Sequence, residues 1–343
     1  MSQEGIAAIG VDVGGTKIAA GLVDTRGEIV AREREPIQKG RGDGLDGAEQ
    51  IRDMVSNLRG AAGSRGLSVA GVGVAVPAFV NGSAGEVRWA PNIDGWKDFP
   101  LGRLLEDWTG LPVALDYDGS AAVLGEQWVG AARGASDVAF IIVGTGIGAG
   151  FILDGRVYRG ATGFAGGIGW SCLESRAIAD PAFRAAGFLE TMAAGPGIAR
   201  RFGLQRSLAG AEGDATGAPR GNGASGTTRM DGTAEDVFAL ASAGDAIALG
   251  VVREAARYIG MSVANLISTL NPEVVVMGGG VGCHLGPYLD EIRDVIRRTA
   301  QPQSMKEARV VTSALGDDAG IIGSAKNVLD SAPPPASSTR PMG

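Results

Sequence analysis

The chain has 343 residues, of which 45% are hydrophobic, and a formal net charge of −7. This length predicts about two domains, and the acidic balance disfavours a surface that binds nucleic acid. The N-terminus lacks a basic region followed by an apolar stretch, and no apolar run approaches the roughly 18 residues of a membrane span, so we expect a cytoplasmic protein that does not contact membranes. The two cysteines, Cys172 and Cys283, are too few for a disulfide framework.

The beginning of the chain predicts a hairpin that contacts phosphate. Two apolar runs flank a tight turn that contains Gly14 and Gly15, whose backbone N–H groups can approach an anion. Thr16 adds a hydroxyl group, Lys17 adds positive charge, and Asp12 can hold a hydrated Mg²⁺. The pattern differs from a P-loop, because threonine precedes lysine and a second strand, not a helix, follows. An ordinary glycine-rich hairpin is the alternative interpretation.

The same arrangement recurs in the middle of the chain. The apolar run 138–143 leads into Gly144, Thr145 and Gly146, and a second apolar run follows at 149–153. A repetition on this scale predicts two related α/β halves, each with a backbone-lined loop for one shared ligand. A nucleoside triphosphate suits such a pair of loops.

Elsewhere strand patterns alternate with helix patterns, which is typical of α/β proteins. Helical spacing covers 47–59, 101–108, 120–129 and 234–270, and strand patterns cover 69–76, 113–115 and 273–277. Two segments lack both patterns: residues 207–233 are rich in Gly, Ala and Thr, and residues 331–343 are rich in Pro and Ser. We expect the first to be a flexible surface insertion and the second to be a disordered tail.

Asp118 is the candidate general base. It lies between the strand pattern 113–115 and the helix pattern 120–129, so we expect it in the crevice at the carboxyl ends of the strands, where α/β proteins bind ligands. The alternative role of this aspartate is to cap the helix.

Six short motifs, in order along residues 6–328, resemble the ROK family of sugar kinases and repressors. One such motif alone carries little weight, but six in family order identify the family. They are Asp-x-Gly-Gly-Thr-Lys at 12–17, Ala-Pro-Asn-x-x-Gly-Trp at 90–96, Asp118 with Ala-Ala-x-Leu-Gly-Glu at 121–126, Gly-Thr-Gly-x-Gly at 144–148, Ala-Gly-x-Ile-Gly at 165–169 and Asn-Pro-Glu-x-x-x-x-Gly-Gly-Gly at 271–280.

The resemblance implies an actin-like, hexokinase-type α/β fold, in which two α/β domains close over ATP and a sugar. The first domain would cover 1–116, with a helix at 317–330 returning to it, and the second would cover 117–316. The family also leads us to expect a homodimer.

The resemblance assigns a role to each motif. The loops 12–17 and 144–146 would hold the phosphates together with Mg²⁺, and Gly278, Gly279 and Gly280 would border the adenosine. Asp118 would accept the proton of a primary hydroxyl group as that oxygen attacks the γ-phosphoryl group of ATP.

The chain departs from the family where the sugar would bind. Family members carry Ala-Gly-Glu-x-Gly-His, whereas Gly167 and Trp170 replace the glutamate and the histidine here, and Tyr117 replaces an asparagine. The residues that the resemblance places at the substrate are Asn92, Asp94, Tyr117, Asp118, Gly167, Trp170 and Glu190.

The family's zinc-binding cysteine motif is replaced as well. Pro181, Phe183 and Phe188 align with its three cysteine positions. Tetrahedral zinc needs thiolate, imidazole or carboxylate ligands, so we expect no zinc site. An apolar cluster of Trp170, Phe183 and Phe188 is expected in its place.

These replacements predict an altered substrate, because a lost hydrogen bond to a charged group costs about 1.5–3 kcal/mol. A carbocyclic C7-cyclitol, which has no anomeric centre, is the favoured substrate. Kanosamine or another amino sugar, or glucose, is the alternative. Cyclitol and kanosamine kinases that resemble this family act in antibiotic biosynthesis, which is the expected context.

Two other functions are alternatives. One is a sugar-responsive regulator, although family repressors carry a helix-turn-helix before the sugar domain and about five residues precede the first predicted strand here. The other is a dinucleotide oxidoreductase, because residues 144–149 match Gly-x-Gly-x-x-Ala. A strand rather than a helix is predicted after that motif, and no acidic residue lies about 20 positions further on, which disfavours it.

Overall fold

The computed structural model describes residues 5–38, 40, 42–90, 93–215 and 232–331. The chain forms two compact units, and each is built from separate stretches of sequence. The first unit consists of Met1–Ser136, Gly150–Ala165 and Asp317–Gly343, and the second consists of Asp137–Ala149 and Gly166–Gly316.

The first 136 residues alternate strands and helices, as the apolar patterns predict. In order they are β1 (Ile6–Val13), β2 (Lys17–Asp24), β3 (Ile29–Pro36), α1 (Leu45–Gly63), β4 (Ser68–Val76), β5 (Phe79–Asn81), β6 (Glu86–Trp89), β7 (Lys97–Phe99), α2 (Leu101–Thr109), β8 (Val113–Tyr117) and α3 (Asp118–Val129). Buried aliphatic side chains of β1, β2, β4 and α1 form the main core of the first unit. Burial of these side chains favours the packing of α1 against the sheet, whereas backbone hydrogen bonds join β1 to β4.

The main sheet of the first unit brings two carboxyl groups to one edge. Its strand order is β3-β2-β1-β4-β8, and β1, β4 and β8 run parallel. Asp12 lies opposite Ala75 of β4, which lies opposite Asp116 of β8. Because parallel strands end at the same edge, Asp12 and Asp118 both lie at the carboxyl edge of the sheet. One strand, β4, lies between the strands that carry them.

The remaining residues form the second unit and then return to the first. In order they are β9 (Val138–Val143), β10 (Ile147–Leu153), β11 (Arg156–Val157), α4 (Ala182–Ala186), α5 (Phe188–Ala193), α6 (Gly195–Ala215), α7 (Ala234–Ser242), α8 (Ala246–Leu270), β12 (Val274–Gly278), α9 (Gly280–His284), α10 (Leu289–Thr299), α11 (Pro302–Glu307), β13 (Arg309–Thr312) and α12 (Ala319–Ser331). Among the described residues, no helix combines the length and the apolar character that a membrane crossing requires.

The second sheet has the strand order β11-β10-β9-β12-β13, and β9, β12 and β13 run parallel. Gly278, the last residue of β12, lies opposite Ile142 of β9. The glycine turn that follows β9 and the glycine run that follows β12 therefore share the carboxyl edge of this sheet.

The boundary of the first unit differs from the predicted division after residue 116. Helix α3 belongs to the first unit because it packs closely against α12. A side chain on Gly323 of α12 would overlap the carbonyl oxygen of Ala121 in α3, so the two backbones touch. The segment 150–165 also lies in the first unit, whereas the prediction placed it in the second.

The predicted single helix at 234–270 is two helices, α7 and α8. The chain turns between them at Gly244, whose φ of 91° suits glycine. Asp245 then caps α8, because its carboxylate accepts a hydrogen bond from the Ala248 N–H at 2.9 Å. A glycine followed by a helix-capping aspartate interrupts an otherwise helical pattern.

The first residues of the predicted insertion are helical. Helix α6 continues to Ala215, so residues 207–215 are helical rather than unstructured. The rest of that prediction covers 216–233, of which residues 216–231 lie outside the described residues. The predicted tail, 331–343, lies outside them from residue 332 onward.

Candidate functional site

The first hairpin contains a tight glycine turn. The Gly14 N–H donates a hydrogen bond to the Lys17 carbonyl oxygen at 2.8 Å, which closes the turn between β1 and β2. A Cβ atom on Gly14 would lie 3.2 Å from that oxygen, a contact tighter than side chains usually make. Gly15 and Thr16 are exposed at the tip. An exposed glycine turn beside a lysine has the chemistry of an anion site.

The lysine of this turn is paired with a residue from the far end of the chain. The Lys17 ammonium group donates to the Asp317 carboxylate at 3.0 Å, and Arg34 of β3 donates to the same oxygen at 2.7 Å. Sequence reasoning missed Asp317, because it lies 300 positions from Lys17 and no local pattern relates the two residues.

Asp12 lies at the end of β1, next to the turn. Burial raises the pKa of Asp12 to about 6, although the charges of Lys17 and Arg34 oppose the shift and Asp317 adds to it. A Cβ atom on Gly320 of α12 would lie 2.7 Å from the Asp12 carboxyl carbon. The glycine therefore leaves room for this carboxyl group beside the first turn of α12.

Asp118 is the first residue of α3 and follows β8 directly. Tyr117, not Asp118, occupies the N-cap position, and the Asp118 carboxylate accepts the Gly119 N–H at 2.7 Å. Burial and, after it, the charge of Asp12 raise the pKa of Asp118 to about 7, whereas hydrogen bonds from the Gly119 N–H and the Tyr117 side chain lower it. A carboxyl group that titrates near neutral pH suits general base catalysis.

An ion pair supports the strand that presents Asp118. Asp116 of β8 is 2% exposed and binds Arg159, whose Nη2 and Nε donate to it at 2.5 and 3.2 Å. Asp116 also accepts the Tyr117 N–H at 3.0 Å and the Asn327 side-chain amide at 3.4 Å. These bonds connect the end of β8 to Arg159, which follows β11, and to Asn327 of α12. Sequence reasoning missed this cluster, since its members come from three distant segments.

The segment after β6 is anchored by a buried tryptophan. The Trp96 indole N–H donates to the Gly44 carbonyl oxygen at 2.9 Å. Asp94, a predicted substrate contact, is exposed, and Gly95 has a φ of 82°. Asn92, the other predicted contact in this segment, lies outside the described residues.

The second glycine turn lies at the carboxyl edge of the second unit's sheet. The Gly144 N–H donates to the Gly146 carbonyl oxygen at 2.9 Å, and Thr145 is exposed at the tip. In the neighbouring glycine run, Gly279 has a φ of 86°, and a Cβ atom there would lie 2.5 Å from the Val143 carbonyl oxygen. Glycine at 279 thus allows the run 278–280 to pack against the end of β9.

Glu190 lies against this second turn. Its carboxylate accepts the Ile147 N–H at 2.9 Å, and burial raises its pKa. A Cβ atom on Gly146 would lie 2.7 Å from that carboxylate. Glu190 therefore supports the start of β10, a role beyond the predicted substrate contact.

Gly167 precedes a short 3₁₀ helix that ends at Trp170. The expected apolar cluster is present in part: the Phe188 ring contacts Phe183 at a centroid distance of 4.9 Å and Tyr258 at 5.3 Å. The third ring of the cluster is that of Tyr258, not the expected Trp170, because Tyr258 is 4% exposed and Trp170 is 54% exposed. Trp170, three residues after Gly167, is therefore far more exposed than Phe188, which is 3% exposed.

Comparison with known proteins identifies the family. The ROK family model matches residues 8–331. A glucokinase of Halalkalibacterium halodurans is 37% identical over 320 residues, which are 92% of each chain. A putative xylose repressor of Caldicellulosiruptor sp. is 29% identical over 94% of this chain and 77% of its own length.

A solved structure shows the same fold. The ROK family glucokinase of Streptomyces griseus, crystallised with glucose and AMPPNP, superposes with a TM-score of 0.73 at 33% identity and covers 94% of this chain and 99% of its own. This likeness confirms the predicted α/β fold of the actin-like, hexokinase type. The chain belongs to the ROK family.

Proposed function

We propose that this protein is a kinase that transfers the γ-phosphoryl group of ATP to an alcohol group of a sugar-like substrate. The observation that carries the proposal is the position of Asp118 at the same sheet edge as Asp12, with a pKa raised to about 7. Relatives include both a glucokinase and a putative repressor, so the kinase assignment rests on these residues as well as on the family.

Asp118 is the proposed general base. The substrate hydroxyl gives its proton to the Asp118 carboxylate while the oxygen attacks the γ-phosphorus, and the bond from that phosphorus to the β-phosphate oxygen breaks. The products are ADP and the phosphorylated alcohol. A positioned base contributes about 10²- to 10⁴-fold to the rate, and a pKa near the working pH favours the transfer.

Asp12 is the residue that would hold Mg²⁺. In kinases this ion is bound by one or two carboxylates, water and the nucleotide's phosphates, and does not need an all-protein site. The part of the chain that the structure describes contains no cluster of three or more His, Cys, Asp or Glu suited to a metal. The charge of Asp12 raises the pKa of Asp118, so a cation at this edge would relieve their repulsion. Bound Mg²⁺ supplies charge neutralisation on the transferred phosphoryl group.

Both glycine turns are assigned to the nucleotide. The exposed turn at 14–17, with its lysine, and the turn at 144–146 would bind phosphate oxygens through backbone N–H groups. The glycine run 278–280, at the same edge as the second turn, would border the adenosine. Homodimer formation stays a prediction from the family.

For the substrate, we propose a carbocyclic C7-cyclitol in preference to glucose. Gly167 and the exposed Trp170 replace a glutamate and a histidine that the family pattern places near the anomeric end of the sugar. A ring without an anomeric centre loses least when these two polar groups are missing, because sites that read hydroxyl groups discriminate strongly between analogues.

The test is a substrate panel with ATP and Mg²⁺ that compares a C7-cyclitol, kanosamine, glucose and N-acetylmannosamine, with the products identified by ³¹P NMR. We expect ADP formation that depends on the alcohol, and the highest kcat/KM for the cyclitol. A preference for glucose or N-acetylmannosamine would overturn the substrate proposal alone. ADP formation with none of the alcohols would overturn the kinase proposal.

A variant that restores the family residues sharpens the substrate test. Gly167→Glu combined with Trp170→His should raise kcat/KM for glucose by roughly 10- to 150-fold, the value of one hydrogen bond to a charged group. Trp89→His is the matched control, because Trp89 is another tryptophan with a 46% exposed side chain. An unchanged glucose activity in the double variant would argue against the assigned role of the two positions.

A further inference from the structure

Asp317 and Asp318 are two acidic residues near the start of α12 that face cations of β2 and β3. The Asp317 carboxylate accepts hydrogen bonds from Lys17 at 3.0 Å and from Arg34 at 2.7 Å. The Asp318 carboxylate pairs with Arg32 at 2.8 Å. Of these two adjacent carboxylates, Asp317 is thus the one that binds the lysine of the proposed phosphate turn.

The pair between Lys17 and Asp317 can be exchanged at small cost. The Lys17 side chain is 42% exposed and the Asp317 side chain is 62% exposed, so water screens their attraction strongly. A nucleotide phosphate carries more negative charge than a carboxylate and several strong acceptor oxygens. Arg34 also binds Asp317, so this carboxylate keeps a cationic partner when Lys17 leaves it.

We propose that Asp317 is the resting partner of Lys17, that it yields the lysine to a nucleotide phosphate on binding, and that it takes the lysine back on release. This inference rests on the proposed kinase function and adds a positioning residue to it. Because Asp317 competes with phosphate for one ammonium group, it lowers the affinity for both ATP and ADP. Lower affinity for ADP speeds product release.

The first test is ADP binding to Asp317→Asn, measured by isothermal titration calorimetry with and without Mg²⁺. The substitution keeps the shape of an exposed side chain and removes the competing charge. The Kd of ADP should fall by about two- to fivefold, the size that an exposed ion pair implies. Asp317→Ala should tighten binding similarly, and Asp317→Glu should bring the Kd back toward that of the unmodified protein.

Asp318→Asn is the matched control. It removes the same charge from the adjacent residue without touching the partner of Lys17, so the Kd of ADP should change by less than half as much. Far-UV circular dichroism and thermal unfolding verify that both variants fold. Equal tightening in the Asp318 variant would mean a general charge effect and would overturn the inference.

A double-mutant cycle with Lys17→Met separates an effect through the lysine from an effect on the phosphate itself. In the Lys17→Met background, Asp317→Asn should leave the Kd of ADP unchanged, measured by displacement of a fluorescent ADP analogue. The same tightening in that background would overturn the inference, as would unchanged or weaker binding in Asp317→Asn alone. The kinase proposal requires the unmodified protein to bind ADP, so a failure to bind ADP would contradict both the kinase proposal and this inference. ADP binding that is unaffected by the Asp317 substitutions would contradict this inference alone.

Discussion

Tyr117 connects a departure from the family pattern to the candidate base. Its side chain hydrogen-bonds to Asp118 and lowers the pKa of that carboxyl group, against the larger effect of burial. Its ring packs against Phe164 at a centroid distance of 5.9 Å. The tyrosine therefore favours the ionised form of Asp118, which is the form that accepts a proton.

Removal of the tyrosine hydroxyl should move the pH profile. In Tyr117→Phe, the pKa of Asp118 rises because a hydrogen bond to its ionised form is lost. The acid limb of kcat/KM should shift to higher pH, measured in buffers of constant ionic strength. Tyr158→Phe is the control, since Tyr158 is 51% exposed and should leave the limb in place. An acid limb that is unchanged or that shifts to lower pH in Tyr117→Phe would contradict the assignment of Asp118 as the general base.

The raised pKa of Asp118 also predicts how stability depends on pH. Between its ordinary pKa of 3.8 and its folded pKa of about 7, Asp118 binds more protons in the folded than in the unfolded protein. Its contribution to the free energy of unfolding therefore decreases as pH rises through this window.

Asp118→Asn removes this dependence. The Tm of the variant relative to the unmodified protein should rise steadily from pH 4 to pH 7.5 in thermal unfolding scans. Asp290→Asn, at a side chain that is 99% exposed, should show no such trend. A Tm difference that stays flat across the window would mean that the carboxyl group is not held in its neutral form.

At the scale of elements, the contact between α3 and α12 depends on glycine. Gly323 has no space for a side chain, because a Cβ atom there would overlap the backbone of α3. Asp118 lies in the first turn of α3, and Gly320, which contacts Asp12, lies in the first turn of α12. The close packing of these two helices therefore fixes the positions of both carboxyl groups in the first unit.

Gly323→Ala should destabilise the protein by about 1–3 kcal/mol, because the added methyl group forces the helices apart. Gly250→Ala in α8 is the opposite case: it has open space around it, so the gain in helix propensity should stabilise by about 0.5–1 kcal/mol. Urea unfolding measures both. Equal effects of the two substitutions would contradict the close contact.

Strands and helices could be predicted from sequence where neighbouring residues carry the whole signal. The two hairpins follow from apolar runs that flank glycine turns, and α2 begins at Leu101 as its spacing indicates. The break between α7 and α8 carried a local signal, Gly244 followed by Asp245, but the helical spacing on both sides masked it. The contact between α3 and α12 has no local sequence signal, because Gly323 and Ala121 are far apart in the chain and meet only in the folded protein.

At the scale of the whole molecule, the same distinction holds for the candidate site. Asp12, Asp118 and the glycine turns stand in short motifs, so sequence predicted them. Asp317 and Arg159 act through partners from distant segments, and only the fold brings those partners together. The assignment of 150–165 to the first unit was missed for the same reason, because the ion pair with Asp116 crosses 43 positions of the chain.

The most direct test of the central claim is the rate of phosphoryl transfer by Asp118→Asn under saturating ATP, Mg²⁺ and alcohol substrate. A general base at this position predicts a loss of about 10²- to 10⁴-fold in kcat, with the Kd of ATP nearly unchanged. A variant that transfers phosphate at the full rate would contradict the account.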